Sequence, residues 1–355
     1  MGLSQIFQFG SANIRVNSKT SNVLIYFLHI LFINPLPFDE KCIPSSPILF
    51  IFVASFEYID LKSKQEIRFI INPISGIKTK DRIPGMIDHY IDLQRFNVTL
   101  AYTNHRGHGY ELAQKAVKDG VDVVCAVGGD GSVHEIAKAL INTKTVLAIV
   151  PAGSGNGIAR YLGIPMKIAS SIRLINDLHS ISMDTGKINE ELFIGFGGFG
   201  LDAVVAQKFD EDRRRGFITY AKHILREFFK YKSQLFEIEV DGKSYKKKAI
   251  LFAVANTSEF GNGFVFSPNS NAHDGKLELV TIPPFSRWKL PGVVLKFYLG
   301  KTNKINGYES VSFEKLKLKT QRILCQIDGE PLQIEENLEV SVMPKSLNIL
   351  TKKAP

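Results

Sequence analysis

The sequence predicts an α/β fold: a doubly wound, mostly parallel sheet domain comes first, and a mainly antiparallel β domain follows it. Three observations predict this. From Glu66 to about Asp184 short apolar runs alternate with stretches of helical period. Glycine-rich loops follow three of those runs. Beyond Asp184 the runs alternate apolar with charged residues and are joined by hairpin turns.

Taken in order, Arg68-Phe69-Ile70-Ile71 is an apolar run ended by Asn72-Pro73, which makes it a buried strand. A helix is predicted over 86–96, a strand over 98–102, and a helix over 110–118 that Asp119-Gly120 stops. Residues 121–127 are rich in β-branched side chains and bounded by glycines, the pattern of a strand covered on both faces. Val133, Ile136, Ala137 and Leu140 recur at i, i+3, i+4 and i+7, the stripe of a helix packed on a sheet. A strand over 146–150 closes this half. In the second half 236–240 alternates strictly, and Asp241-Gly242 turns it into a partner strand over 247–255. Further strands are expected over 276–282, 310–318, 323–327 and 338–343, with one amphipathic helix over 217–231. The division is a first domain over 66–187 and a β-rich domain over 188–355, whose last strands return to the first. No internal repeat or low-complexity tract interrupts it.

Residues 1–65 form an arm of different character. Two apolar runs, 23–33 and 48–56, flank Pro35, Pro37, Pro44 and Pro47. Each is well short of the roughly 20 residues that cross a bilayer, and no secretory signal pattern precedes them. The arm is either membrane-associating or, the preferred reading, an artefact of a translation start that truly lies near Leu61.

The 355 residues are 45% hydrophobic and 22% charged, a globular composition that excludes disordered and fibrous classes. Lys and Arg outnumber Asp and Glu by 44 to 35, for a net charge of +9. That excess suits phosphorylated ligands, anionic lipid headgroups or nucleic acid. The basic residues form no aromatic-interleaved patch, which disfavours nucleic acid. Cys42, Cys125 and Cys325 form no CxxC pair, so neither a disulfide framework nor a zinc site is expected, and a reducing cytoplasm fits.

The chemistry is concentrated in three loops at the C-terminal ends of predicted parallel strands, where open α/β sheets bind ligands. They are Asn72-Pro73-Ile74-Ser75-Gly76, Gly128-Gly129-Asp130-Gly131-Ser132 and Gly153-Ser154-Gly155-Asn156-Gly157. Glycines let backbone N–H groups approach phosphate oxygens with no Cβ in the way. A helix N-terminus after Ser132 adds partial positive charge. Asp130, a poor direct neighbour for polyphosphate, is assigned to Mg²⁺ or a water on it. Ser132, Ser154 and Asn156 supply neutral donors. There is no GxxxxGK[ST] loop. Gly195 to Gly200 satisfies G-x-G-x-x-G, but the match stands outside an opening β-α-β unit and is read as a strand-to-helix turn.

At these loops the chain resembles the diacylglycerol kinase catalytic-domain family, which includes bacterial soluble lipid kinases and sphingosine kinases. The resemblance runs from about Glu66 to the C-terminus. It rests on Asn72-Pro73 with Gly76, on Gly128 to Ser132 with Glu135, and on Pro151 to Asn156 followed by Ala159-Arg160. It continues through Gly198 to Ala203, Asp274-Gly275 and Asp328-Gly329-Glu330. It implies an NAD kinase- or phosphofructokinase-like first domain. It further implies an ATP site formed by Asn72, Pro73, Ile74, Ser75, Gly76, Thr103, Gly128, Gly129, Asp130, Gly131, Ser132, Val133, His134, Ser154 and Asn156. Glu330 is implied as general base, with Asp328 supporting it or binding metal and Asp130 completing the catalytic set. A structural Mg²⁺ is implied at Asn271, Asp274 and Lys276. The third loop departs from the common bacterial Gly-Thr-Gly-Asn-Asp at Gly157, and its Ser154 is similar to the sphingosine kinase loop.

The function implied is an ATP- and Mg²⁺-dependent lipid kinase acting on a hydroxyl of a diacylglycerol-like or sphingoid lipid. Its partner is the membrane surface, touched peripherally at the inner face, with no nucleic acid and with a homodimer left open. Phe260, Phe264 and Phe266 are candidates for an acyl pocket. Arg213, Arg214, Arg215, Lys246, Lys247 and Lys248 are candidates for headgroups, and His105, Arg106 and His108 for phosphate. Two alternatives stand beside this: another small-molecule kinase of the same fold, such as an NAD kinase, and a nucleotide- or lipid-binding protein without catalysis.

Overall fold

The computed structural model describes residues 5–9, 12–16, 64–74, 80–212, 217–319, 323–334 and 337–352. The chain divides into two units, Met1–Ser63 and Lys64–Pro355. In the first, the described residues form an antiparallel hairpin of β1 (Gln5–Phe9) and β2 (Ala12–Val16). The apolar runs at 23–33 and 48–56 lie outside the described residues, as do Ser75, Gly76 and Arg213 to Arg215.

The second unit opens with β3 (Gln65–Ile71), α1 (Ile83–Tyr90), β4 (Phe96–Tyr102), α2 (His108–Lys118), β5 (Val123–Gly128), α3 (Asp130–Leu140) and β6 (Val146–Pro151). The four strands lie parallel in the order β6-β5-β3-β4. Every residue of β5 is buried because both faces of the sheet are covered. Successive side chains of a strand point to opposite faces. Val124 and Ala126 therefore pack with Val133, Ile136 and Leu140 of α3, while Val123, Cys125 and Val127 pack with Ile83 and Ile87 of α1. The predicted helix over 86–96 starts and ends earlier than expected. Ile91 is already extended, and Asp92 accepts the Gln94 N–H to form a turn that feeds Phe96 into β4.

The chain continues through α4 (Gly157–Tyr161), α5 (Ile168–Ile175), β7 (Ser180–Ile188), β8 (Glu191–Phe193), β9 (Phe196–Gly198), α6 (Leu201–Glu211), α7 (Phe217–Phe228), β10 (Gln234–Val240), β11 (Lys243–Ala249), β12 (Leu251–Ala255) and β13 (Leu277–Ile282). It ends with α8 (Leu290–Tyr298), β14 (Glu309–Phe313), β15 (Lys315–Lys319), β16 (Ile323–Ile327), β17 (Glu330–Ile334) and β18 (Leu338–Leu350). Six of these strands form an all-antiparallel sheet in the order β14-β13-β12-β9-β16-β17. The long β18 pairs with β15 and β7 and, past an irregularity between Met343 and Leu347, lies parallel to β6 at Ile349↔Leu147. It thereby joins β10, β11 and β15 to the parallel strands.

Two predicted strands are each broken in two. Residues 310–318 divide at Glu314 into β14 and β15, and 247–255 divides at Ile250 into β11 and β12. In both cases the halves belong to different sheets. A period of two is the same in either sheet, so the alternation cannot register the crossing. Gly195 to Gly200 spans β9 and the turn into α6, with Gly200 at the helix N-cap.

Candidate active site

The three glycine loops leave the ends of the neighbouring strands β3, β5 and β6 and touch one another. The Asn72 N–H donates to Val127 O at 3.0 Å, and its Nδ2 donates to Ser132 Oγ at 3.1 Å, tying the first loop to the second. Its Oδ1 accepts the Ile74 N–H at 2.9 Å. The second and third loops meet backbone to backbone: a Cβ on Gly153 would lie 2.4 Å from Gly129 Cα. Only glycine permits that approach.

Asp130 locks the contact. Its Oδ2 accepts the Asn156 N–H and its Oδ1 the Gly157 N–H, each at 2.7 Å. Burial raises its pKa, a shift that these N–H groups only partly oppose. Around this seam Gly131 and Ser154 are exposed and Ser132 is half-buried, while Pro73 and Ile74 are exposed. Asp130, Gly131 and Ser132 form the first turn of α3, where N–H groups lack intrahelical partners and the helix dipole favours anions. Val133 faces the core, and its N–H donates to Gly129 O. Thr103 is buried at the end of β4, with its N–H on Ile71 O.

The second carboxylate cluster lies at the β16–β17 hairpin. Asp328 and Gly329 have φ of 49° and 91°, the two positive values of a type I′ turn, which suits the twist of a two-residue hairpin. The Asp328 side chain is only 5% exposed. It accepts the N–H groups of Ile194, Gly195 and Phe196 at 2.8–2.9 Å and bonds His134 Nδ1 at 2.7 Å. Burial alone would raise its pKa, but the His134 imidazole and those backbone groups outweigh it and hold the carboxyl below its ordinary range. His134, in α3, thus links the parallel-sheet layer to the β-rich layer.

Glu330, the first residue of β17, lies on the rim of the same junction. Its Oε2 is 3.2 Å from Arg106 Nη2, and Arg106 Nη1 is 3.5 Å from Asp210 Oδ2 on α6. The Arg106 loop is braced from α3, where Glu135 accepts the N–H groups of Gly107 at 2.9 Å and Gly109 at 3.1 Å. Neither Asp210 nor the bracing role of Glu135 emerged from the sequence, because both depend on contacts across distant segments. The spacing of Glu135, one turn beyond the Gly-Gly-Asp-Gly-Ser loop, was its only signal.

The three residues suggested for a structural metal, Asn271, Asp274 and Lys276, are exposed on one turn. Asp274 Oδ1 accepts the Lys276 N–H, and beneath them Asp184 accepts the N–H groups of Gly275 and Lys345. Among the described residues no three His, Cys, Asp or Glu side chains gather as a metal cage.

Beside the third loop lies an apolar cavity of about 170 Å³, lined by Phe260, Phe264, Phe285, Val293 and Phe297 and by Asp202. Its wall is continuous with the glycine loop. The Asn262 N–H donates to Gly155 O at 3.1 Å, and a Cβ on Gly157 would lie 3.1 Å from Gly261 N. Glycine at 157 is what lets the 259–263 segment close down here. Phe266 is fully buried and stacked on Phe260, so it supports the wall from behind. Desolvation pushes the Asp202 carboxyl up to about 6, partly opposed by hydrogen bonds from Gln326 and the Gly200 N–H. A larger hollow of about 1010 Å³ over β10, β15 and β18 is lined by charged strand residues such as Lys187, Glu237 and Lys317 and by no residue of the glycine loops. Lys246 and Lys247 are ion-paired with Glu237 and Glu309, an arrangement that neutralises them within the sheets.

Comparison with known families matches two successive stretches of this geometry. Residues 66–188 match the diacylglycerol kinase catalytic domain, and residues 196–351 match the YegS C-terminal NAD kinase beta sandwich-like domain. The chain belongs to the diacylglycerol kinase catalytic-domain family. This is a family of probable lipid kinases, and its catalytic domain implies use of ATP. The chain is similar to a "Probable lipid kinase YegS-like" of Pseudomonas fluorescens, at 26% identity over 259 residues, covering 72% of this chain and 85% of that one. It is similar also to the "Uncharacterized protein sll0036" of Synechocystis, at 27% identity over 306 residues, covering 79% and 69%. Its fold resembles the crystal structure of a diacylglycerol kinase from Bacillus anthracis with a TM-score of 0.63 at 20% identity, covering 81% and 97% of the two chains. Among the described residues no helix is long and apolar enough to cross a membrane.

Proposed function

We propose that this chain transfers the γ-phosphoryl group of ATP to a hydroxyl of a diacylglycerol-like or sphingoid lipid, with residues 66–187 holding the nucleotide and 188–355 the lipid. One observation carries the reading. The apolar cavity and the glycine loops share a wall, the Gly261-Asn262 backbone against Gly155 and Gly157. A polyphosphate on the loops and an apolar chain in the cavity would therefore be neighbours. At about 170 Å³ the cavity is smaller than the ~300–1,000 Å³ of a whole small-molecule site and suits one stretch of chain.

In this reading the phosphates lie against Asn72 to Gly76, Gly128 to Ser132 and Ser154, at backbone N–H groups and the α3 N-terminus. Asp130 and Asn156 hold the loops together, and Thr103, Val133 and His134 form their floor. Glu330 takes the hydroxyl proton, a role a carboxylate can fill within hydrogen-bond reach of the alcohol. Its pairing with exposed Arg106 is worth no more than about 1 kcal/mol, so an arriving phosphate can draw Arg106 away and free the carboxylate. Asp328 acts as a positioning residue that sets the Glu330 hairpin. The sequence assigns Asp130 to Mg²⁺, but both of its oxygens accept backbone N–H groups, so an ion accompanying ATP would rest mainly on phosphate oxygens and water, where it would neutralise phosphate charge. A second Mg²⁺ at Asn271, Asp274 and Lys276 would have one carboxylate, an amide and backbone carbonyls, a donor set that suits an ion keeping several waters. The lipid reaches the site from a membrane surface that the protein touches peripherally, from the cytoplasmic side.

The test is Glu330→Gln with labelled ATP and vesicles containing diacylglycerol or sphingosine. Turnover is expected to vanish while ATP binding persists, and unchanged turnover would remove Glu330 as base. Phosphorylation of NAD but of no lipid would overturn the lipid assignment in favour of the related small-molecule kinases.

A further inference from the structure

The most exposed large apolar side chain of the described core unit is Trp288, at 93%. It precedes α8, one face of which presents Leu295 and Tyr298 at 55% and 62% exposure, continued by the C-cap residue Leu299 at 53%. The opposite face of the same helix, Leu290, Val293 and Phe297, lines the apolar cavity. The helix is thus apolar on both sides; among the described residues the inner side packs on the cavity, while the outer side stays largely exposed, its Tyr298 ring meeting Phe264 edge-on at 5.9 Å. The patch continues onto α7 through Arg287, whose guanidinium lies over the Phe229 ring at 5.4 Å, with Leu225 exposed one turn before.

The charge around this patch has one sign. Residues 283–305 contain Arg287, Lys289, Lys296, Lys301 and Lys304 and no Asp or Glu. The adjoining 217–232 adds Lys222, Arg226, Lys230 and Lys232 against Glu227 alone. Within this stretch Arg226 lies 4.0 Å from Glu227, whereas on the β-rich sheets lysines such as Lys246 and Lys247 are held by Glu237 and Glu309 at 2.5–2.6 Å. An exposed indole with aliphatic and tyrosyl neighbours, in stretches that carry nine basic residues against one acidic one, is complementary to the headgroup layer of an anionic bilayer. Amphipathic rings sit at headgroup depth, and each basic residue near such a surface adds about 1 kcal/mol.

We propose that Trp288 and the outer face of α8, with the end of α7, form the surface by which this protein docks on an anionic lipid bilayer. The proposal rests on the lipid-kinase reading for its occupant and deepens it, because the docked helix is itself a wall of the cavity. A lipid leaving the bilayer beside Trp288 would then pass along α8 towards the loops without crossing water.

Trp288 is the chain's single tryptophan, so its emission reports the patch directly. Purified protein without ATP is mixed with phosphatidylglycerol vesicles or with phosphatidylcholine vesicles. A blue shift, quenched by brominated lipid, is expected with the anionic vesicles and is expected to weaken with salt. Trp288→Ala is expected to lower vesicle affinity in co-sedimentation at least about tenfold. Lys289→Gln with Lys301→Gln is expected to lower it about fivefold per charge removed. All three sites are exposed, and an unchanged melting temperature confirms that the variants fold. No shift with either vesicle, or wild-type affinity in Trp288→Ala, overturns the proposal. A shift that follows protein concentration without vesicles also overturns it, in favour of a second copy of the chain on this face. Because binding is read without turnover, vesicle docking by a protein that phosphorylates no lipid would overturn the kinase reading and leave this surface standing.

Discussion

Replacing Gly153 by alanine tests the contact that brings the loops together. The added Cβ would lie 2.4 Å from Gly129 Cα, whereas ordinary contacts begin near 3.4 Å. The neighbour is backbone, so no side chain can swing aside, and the second and third loops must separate by about 1 Å. Overpacking of this kind costs about 1–3 kcal/mol, and a 1 Å displacement at a reacting centre costs on the order of a hundredfold in rate. The expected result is a melting temperature lower by a few degrees and a turnover with labelled ATP lower by about two orders of magnitude. Gly131→Ala is the matched control. Nothing lies within 4 Å of its added Cβ and the position is helical, so the fold is expected to be unchanged or slightly more stable. If phosphate lies against the start of α3, that methyl group occupies its place, and calorimetric ATP binding is lost from a fully folded protein. A Gly153→Ala protein with wild-type melting and turnover would refute the loop contact. A Gly131→Ala protein with wild-type ATP affinity would refute the phosphate position.

Further outcomes follow from three carboxylates and their partners. Asp328→Ala leaves three backbone N–H groups and His134 without their acceptor and is expected to cost about 3–5 kcal/mol, read by denaturant unfolding. Because the Asp328 pKa is depressed in the folded protein, its stabilisation is present above the unfolded value of 3.8 and lost as pH falls through the lower folded value. Wild-type unfolding should therefore show an acid-side loss that Asp328→Asn lacks. Asp202 has the opposite sign: its stabilising contribution is full below 3.8 and lost as pH rises through about 6. Asp202→Asn should be more stable than wild type at neutral pH by up to about 3 kcal/mol, less whatever hydration the cavity gives the carboxylate. Equal stability of the two proteins between pH 4 and 8 would show that the carboxyl is not desolvated. Glu135→Ala should loosen the first turn of α2 by about 1 kcal/mol and speed hydrogen exchange at Gly107 and Gly109, and unchanged exchange there would count against its capping role.

The legible part of the site was the part that short-range chemistry dictates. Asn72-Pro73, Gly128 to Ser132 and Gly153 to Gly157 announce turns at the ends of apolar runs, and parallel pairing brings such ends together without further information. Asp130 was legible as an acid among glycines, but not its partners. Both of its oxygens accept backbone N–H groups 26 and 27 residues away, a pairing visible only once β6 lies beside β5. Asp328 is the same case at longer range, joined to His134 across 194 positions.

By itself the sequence determined the α/β order, the mainly antiparallel β second half and the loops that carry the glycines, because periodicity and turn chemistry act over a few residues. The tertiary structure alone decided that residues 310–318 and 247–255 each serve two sheets. It alone drew Arg106, Asp210 and Glu330 to one rim, and it turned the outer face of α8 to solvent. Those outcomes depend on which distant segments share a hydrogen bond or a core, and no local pattern encodes that distance.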